Sequence, residues 1–394
     1  MAATVSRVVT IIADDLTGAC DTGCLFAGPG PVGVEAEPAL LAPERAVVTV
    51  DTESRPLAPD AAAAVVRATA GRLRERLAAG PVFKKIDSTM RGAVTAELTA
   101  LLAPGSRFTG ALVCPAFPAQ GRVVSHGRLL VDGAPVHESA IGRDPAFRAA
   151  TSVLASLLAG GAPVVALGLD DVRAGSEKVA HVLEQHAGAI VAADSETDAD
   201  LASLAEAALS RPGTLMAGSA GLGRAVSHAL GCGGPAVALP SGRARLVVIG
   251  SLHPASRAQL EALAGAGLAV VFADADRHSD PAPAVAALAS GRAALVASTT
   301  TPASREGVAR LLAEAAARIL EGAEPDLVAV TGGDTAYALI RALRPRRFDL
   351  LGAPADGLAL GRLTREGGGE LALLTKAGGF GAADLFATLL GGTP

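Results

Sequence analysis

The segment IIADDLTGACDTG, Ile11 to Gly23, decides how the rest of the chain is read. An apolar run, Val8 to Ala13, reads as a strand and ends abruptly in two adjacent carboxylates, Asp14 and Asp15. Thr17, Gly18, Asp21, Thr22 and Gly23 follow. Open parallel sheets bind ligands just beyond the C-terminal ends of their strands. An acid at a helix start meets free N–H groups, and one acid is enough for that cap. Two neighbouring acids, with a third at Asp21, point to a ligand site.

Outward from that segment, strand, polar turn and helix recur. Ala46 to Val50 is a strand ending in Asp51, Thr52, Ser54 and Arg55, and Ala61 to Leu77 is apolar at helical spacing. Pro81 to Ile86 runs into KKIDSTMRG (Lys84 to Gly92), and Ala111 to Cys114 runs into PAFPAQGR (Pro115 to Arg122). A hairpin is expected over Leu129 to Val136, around Asp132-Gly133. Helices are expected over Ala149 to Ala159 and Val172 to His186. Such alternation signals βαβ units with right-handed crossovers. Gly28 to Pro43 reads as a connection, and Gly231 to Arg243 as a linker. Beyond it a second series carries GSLHPASR (Gly250 to Arg257), TGGDTA (Thr331 to Ala336) and TKAGGFG (Thr375 to Gly381). The expected fold is two α/β domains with mainly parallel sheets, over 1–235 and 244–394.

The bulk properties exclude several classes. In 394 residues, half of them hydrophobic, there are nine Phe, one Tyr and no Trp, and the net charge is -5. Small aliphatic cores suit helices on parallel strands. No basic run supports nucleic-acid binding, and few rings are available for base stacking. No stretch approaches the roughly 20 apolar residues that span a bilayer, and the N-terminus lacks a secretory pattern. A cytoplasmic protein is expected. The four cysteines, without a CxxC or a nearby His, read as buried thiols rather than zinc ligands, and no metal-ligating cluster is expected.

Lys85, Asp87, Ser88, Thr89 and Arg91 exceed what capping one helix requires. A charged residue at the end of a covered sheet is costly unless paired, and Arg91 has the fork that clamps a carboxylate. Gln120 and Arg122 suit oxygen ligands, on a proline-restricted loop. Gly332 and Gly333 let backbone approach a phosphate, and Asp334 and Thr335 open a helix whose N–H groups favour anions. KAGGFG and GSLHPAS add glycines and hydroxyls in the same half. Neither a P-loop nor a first-strand GxGxxG is present.

Taken in order, IADDLTGACDTG, KIDSTMRG, CPAFPAQGR, VDGAPVHES, TGGDT and KAGGFG resemble the four-carbon acid sugar kinase family, also known as DUF1537. The resemblance spans nearly the whole chain. It implies an N-terminal sugar-acid-binding domain, a C-terminal nucleotide-binding domain and ATP-dependent phosphorylation of threonate, erythronate or 3-oxo-tetronates. It places the acid around Asp14, Asp15, Lys85, Asp87, Ser88, Thr89, Arg91 and Arg122. It places ATP at Ser251, Gly332, Gly333, Asp334, Thr335 and Gly378. Relatives often read GSxSP where this chain has GSLHP, with His253 in the second Ser position, which leaves Ser251 or Ser256 as the hydroxyl contact. Phosphoryl transfer needs positioning and neutralised charge, hence Mg2+ with ATP, and a carboxylate near the attacking hydroxyl. Asp14 or Asp15 is expected there, with Asp87 in reserve. Closure of the two domains about residues 231–243 is expected to bring acid and ATP together. An NAD-linked sugar-acid dehydrogenase and a non-catalytic sugar-acid-binding protein remain the alternatives. The sequence leaves the oligomeric state open.

Overall fold

The computed structural model describes residues 8–36, 45–139, 141–143, 149–234, 236–251, 253–263, 268–274, 277–278, 280–298 and 305–389. The chain divides into two compact units, the first Met1–Pro29 with Glu44–Gly234, the second Gly30–Pro43 with Pro235–Pro394. The first unit carries strands β1 (Val9–Ala13), β3 (Val47–Asp51), β4 (Val82–Lys85), β5 (Gly110–Cys114), β6 (Arg122–Ser125), β7 (Arg128–Val131), β8 (Ala134–Pro135), β9 (Val164–Leu167), β10 (Ile190–Ala193) and β11 (Thr214–Gly218). β2 (Val32–Ala36) belongs to the second unit. There it lies beside β12 (Arg245–Ile249), β13 (Ala269–Asp274), β14 (Arg277–His278), β15 (Ala294–Ala297), β16 (Leu327–Thr331), β17 (Arg347–Gly352), β18 (Leu358–Thr364) and β19 (Glu370–Lys376).

The main sheet of the first unit is parallel throughout, in the order β3-β1-β4-β11-β5-β10-β9. Every residue of β1, β3 and β4 is buried. Strands covered on both faces need continuous apolar runs rather than alternation, and VTIIA and VVTVD supply them. β1 has β3 on one side and β4 on the other, so the chain reverses its direction across the sheet there. That is the switch point where open α/β sheets leave a crevice beyond the strand ends. The three loops that follow β1, β3 and β4 are Asp14–Asp15, Thr52–Arg55 and Asp87–Gly92.

In the second unit the order is β14-β13-β15-β12-β16-β19-β18-β17-β2. β13, β15, β12, β16 and β19 run parallel, and the rest pair antiparallel. β12 lies between β15 and β16, a second switch point. Val247, Ile249, Leu295, Leu327, Leu360, Leu374 and Phe386 build a core around it.

Several elements differ from the sequence reading. The connection read over Gly28 to Pro43 contains β2, which pairs antiparallel with β17 (Gly33 with Asp349), while its residues 37–43 lie outside the described part. A strand whose partner is more than 300 residues away leaves no local trace. The expected helix over Ala149 to Ala159 shrinks to Leu154–Leu157, because Val153 bridges Arg128 instead. Val172 to His186 is broken by Gly175, at φ 108, into Leu169–Arg173 and Ser176–Gln185. The hairpin forms as expected between β7 and β8, with Asp132 at φ 51 and Gly133 at φ 81.

Candidate functional site

Asp15 caps the helix Leu16–Cys24, its Oδ1 accepting from the Gly18 amide at 2.9 Å and its Oδ2 from Thr17 Oγ1 at 2.7 Å. Gly18 is required there, since a Cβ at that position would fall 2.5 Å from Asp15 Oδ1. Both acids are then gripped by one guanidinium. Arg55 donates from Nε and Nη2 to Asp14 at 2.8 Å each, and from Nη1 and Nη2 to Asp15 at 2.7 Å each. Backbone bonds fix the arginine's loop, from Thr52 N to Ala13 O (3.0 Å) and from Arg55 N to Asp14 O (3.1 Å). Burial pushes the Asp14 carboxyl up, but Arg55, with help from Lys84 and Lys85, outweighs it and holds the group below the usual range. The two acids differ in access: the Asp14 side chain is 3% exposed and that of Asp15 16%. Asp15 is therefore the more accessible of the pair, while Asp14 anchors Arg55.

The loop after β4 makes the opposite wall. Asp87 accepts from Arg91 Nη2 at 2.7 Å, from Arg91 Nε at 2.9 Å and from the Thr89 amide at 3.1 Å, with the Thr89 hydroxyl bonded as well. Burial raises the Asp87 carboxyl, and the Arg91 charge and hydrogen bonds more than reverse that, holding it well below the ordinary range. Arg91 Nη1 bonds to no protein group among the described residues, and the side chain is 36% exposed. Met90 at φ 64 and Gly92 at φ 96 turn the loop so that a Cβ on Gly92 would lie 3.2 Å from Asp14 Oδ2. Lys85 is buried with its Nζ 3.2 Å from where a Cβ on Gly18 would sit, beside the Asp15 cap. Ser88 is half-buried in the same loop. The structure thus brings Asp14, Asp15, Lys85, Asp87, Ser88, Thr89 and Arg91 to one end of the sheet.

Arg122 is different. It opens β6 and donates to the Gln120 carbonyl of its own turn, and no ion pair joins it to the acids among the described residues. Sequence reasoning missed the part played by Arg55, which was visible only as one of several polar residues after β3. It also missed a buried support. Lys84 and Glu97 pair at 2.6 Å, and Glu97 accepts from Ser54 Oγ at 2.6 Å, whose oxygen lies 2.8 Å from Thr52 Oγ1. This chain runs under the loop that carries Arg55. Asp51, at the end of β3, is pushed well above the carboxylate range by burial and by the neighbouring Glu53 and Asp15.

In the second unit the loops after β12, β16 and β19 converge. Gly332, at φ 96, precedes the helix Gly333–Leu343, whose first turn holds Asp334 (exposed) and Thr335 (buried). Ser251 lies between the two glycine loops. A Cβ on Gly332 would sit 3.4 Å from the Ser251 backbone, and one on Gly378 2.3 Å from Ser251 Oγ. Ser256 is fully buried and bonded to Gly378 O at 2.8 Å, so it braces the loop from within. A nucleotide fits this arrangement, since glycines without a Cβ let phosphate approach and a helix N-terminus faces it. Among the described residues no group of three or more His, Cys, Asp or Glu forms a metal cage. Magnesium carried on phosphates needs only one or two carboxylates.

Comparison with known proteins agrees with this layout. Residues 9–226 match the family model described as a sugar-binding N-terminal domain, and residues 246–386 match the one described as a nucleotide-binding C-terminal domain. The chain is 36% identical over 410 residues to a D-threonate kinase of Bordetella bronchiseptica, covering 96% of this chain and 95% of the relative. It is 30% identical to a 3-oxo-tetronate kinase of Pseudomonas fluorescens, covering 96% of each. A Haemophilus influenzae protein of the DUF1537 family shares the fold at a TM-score of 0.72 and 20% identity, over 97% of this chain and 99% of that one. Fold and sites together define a two-domain α/β protein that couples a sugar-binding domain to a nucleotide-binding domain. The chain belongs to the four-carbon acid sugar kinase family.

Proposed function

We propose that this protein is an ATP-dependent kinase that phosphorylates a hydroxyl of a four-carbon acid sugar of the threonate, erythronate or 3-oxo-tetronate type. The observation that carries the reading is the pairing of Asp14 and Asp15 on Arg55 at the switch point of the first unit, facing the Asp87–Arg91 loop. Carboxylate oxygens suit the hydroxyls of such a substrate, and Lys85 with Arg91 Nη1 suits its carboxylate. Asp15 is the carboxylate placed to orient the attacking hydroxyl and accept its proton, because it is the more exposed of the pair. Asp14 and Asp87 act behind it by fixing Arg55 and Arg91. Ser88 and Thr89 line the substrate loop, and Arg122 is assigned by motif alone.

ATP is assigned to Ser251, Gly332, Gly333, Asp334, Thr335 and Gly378, with the glycines admitting phosphate and the helix start holding it. Mg2+ bound to the phosphates would supply charge neutralisation. Transfer requires the acid and the terminal phosphate to reach bonding distance. The test is an ADP-release screen over the D- and L-threonates, the erythronates and their 3-oxo forms. Release with at least one of these acids, dependent on both substrates, is expected. Absence of release with all of them would overturn the reading.

A further inference from the structure

We propose that Lys376 is the positioning residue of the nucleotide-phosphate loop, its ammonium winding Ala377–Phe380 from within so that the amides of Gly378 and Gly379 face outward to an anion. The inference rests on the nucleotide reading above and adds a residue that the motif comparison did not assign. Lys376 closes β19 and is 1% exposed. Its Nζ donates to the carbonyls of Ala377 at 3.0 Å, Gly378 at 3.3 Å and Phe380 at 2.8 Å, with Ser256 Oγ at 3.4 Å. Gln259, fully buried, extends this arrangement by donating to the carbonyls of Phe380, Gly381 and Ala382 at 3.0 to 3.1 Å.

The planar peptide gives these bonds a direction. A trans peptide points its N–H opposite to its C=O. Carbonyls 377 and 378 point at the ammonium, so the N–H groups of Gly378 and Gly379 point away from it. Neither amide donates to a protein group among the described residues. Successive outward amides over a buried cation form an anion-binding concavity. No carboxylate pairs with Lys376 among the described residues, so its charge is met by carbonyl and hydroxyl dipoles. Burial lowers its pKa to about 8. The elements around it carry His253, Arg257, Glu261, Asp334, Asp356 and Arg362, and burial is the cause of the lowering.

An anion docked on the loop favours the charged lysine. By linkage, phosphate binding must then take up a proton wherever the free lysine is partly neutral. At pH 8, uptake of about half a proton per bound nucleotide is expected, and affinity should fall as much as about tenfold per pH unit above that point. The last phosphate ionisation of ADP lies below pH 8, so at pH 8 and above the nucleotide contributes little to the proton balance.

The experiment is calorimetric titration of the full chain with ADP from pH 7.5 to 9.5, in two buffers of different ionisation enthalpy, for wild type and Lys376→Met. Expected are proton uptake and a Kd that rises by roughly an order of magnitude in the wild type, both abolished in the variant. If the wild type binds ADP with no proton uptake and a constant Kd, the inference fails while the nucleotide site stands. If the wild type does not bind ADP at all, the nucleotide reading fails and takes this inference with it. Because uptake is measured on the wild type, a variant that does not fold leaves the test intact.

Discussion

Replacing Arg55 by Met removes the cation that, among the described residues, pairs with both acids of the opening motif. Arg55 makes four bonds of 2.7 to 2.8 Å to Asp14 and Asp15, and the Asp14 side chain is 3% exposed. Removing one partner of a buried ion pair typically costs about 3–5 kcal/mol, because the other charge is left behind. At the lower figure, opening of the neighbouring strand becomes on the order of a hundredfold easier. Hydrogen exchange of the β1 amides (Val9–Ala13), read as protection factors, measures this directly. The sign of the pH dependence follows from Asp14. In the wild type its carboxyl lies below the usual range, so its contribution is complete above about pH 4 and is lost only as pH falls through the lowered value. In the variant burial is opposed only by Lys84 and Lys85, the carboxyl rises, and Asp14 is destabilising at neutral pH. The gap between the two proteins should therefore narrow from pH 7 to pH 5. Adding Asp14→Asn to Arg55→Met should recover at least about 1 kcal/mol by removing the stranded charge. A change in protection below threefold, independent of pH and not rescued by Asn, would refute the reasoning.

Three further outcomes are expected. Arg91→Ala should raise the KM for the sugar acid by about tenfold to a hundredfold, the worth of a charge-assisted hydrogen bond, with little change in the KM for ATP; steady-state kinetics with each substrate varied distinguishes the two. Gly378→Ala places a methyl 2.3 Å from Ser251 Oγ, so the KM for ATP should rise by on the order of tenfold while the sugar-acid KM holds; an unchanged ATP KM would count against the loop assignment. Lys84→Met strands Glu97, which is 1% exposed, and should cost about 3 kcal/mol in urea unfolding, whereas Lys84→Met with Glu97→Leu should recover most of it.

The two sites were not equally legible in the sequence. Asp14, Asp15 and the Asp87–Arg91 loop stood out because charged residues at the ends of apolar strands have few purely structural uses. The parallel α/β class followed from uninterrupted apolar runs between helical stretches. Arg55 did not stand out. Pairing it with Asp14 requires knowing that β3 lies beside β1, and strand order is a non-local property. β2 escaped for the same reason, since its partner β17 is read from a distant part of the chain. Lys376 was visible only as the first letter of a glycine motif. Its role comes from backbone carbonyls turned inward, and a sequence does not show carbonyl direction.

Asp15→Asn tests most directly whether Asp15 takes the proton of the attacking hydroxyl. Asparagine caps a helix about as well as aspartate, so the fold and the Gly18 bond should persist while the charge is lost. Turnover of ATP with whichever four-carbon acid the screen identifies should fall by about a hundredfold or more in kcat, with ADP affinity unchanged. Near-wild-type kcat in Asp15→Asn would contradict the account.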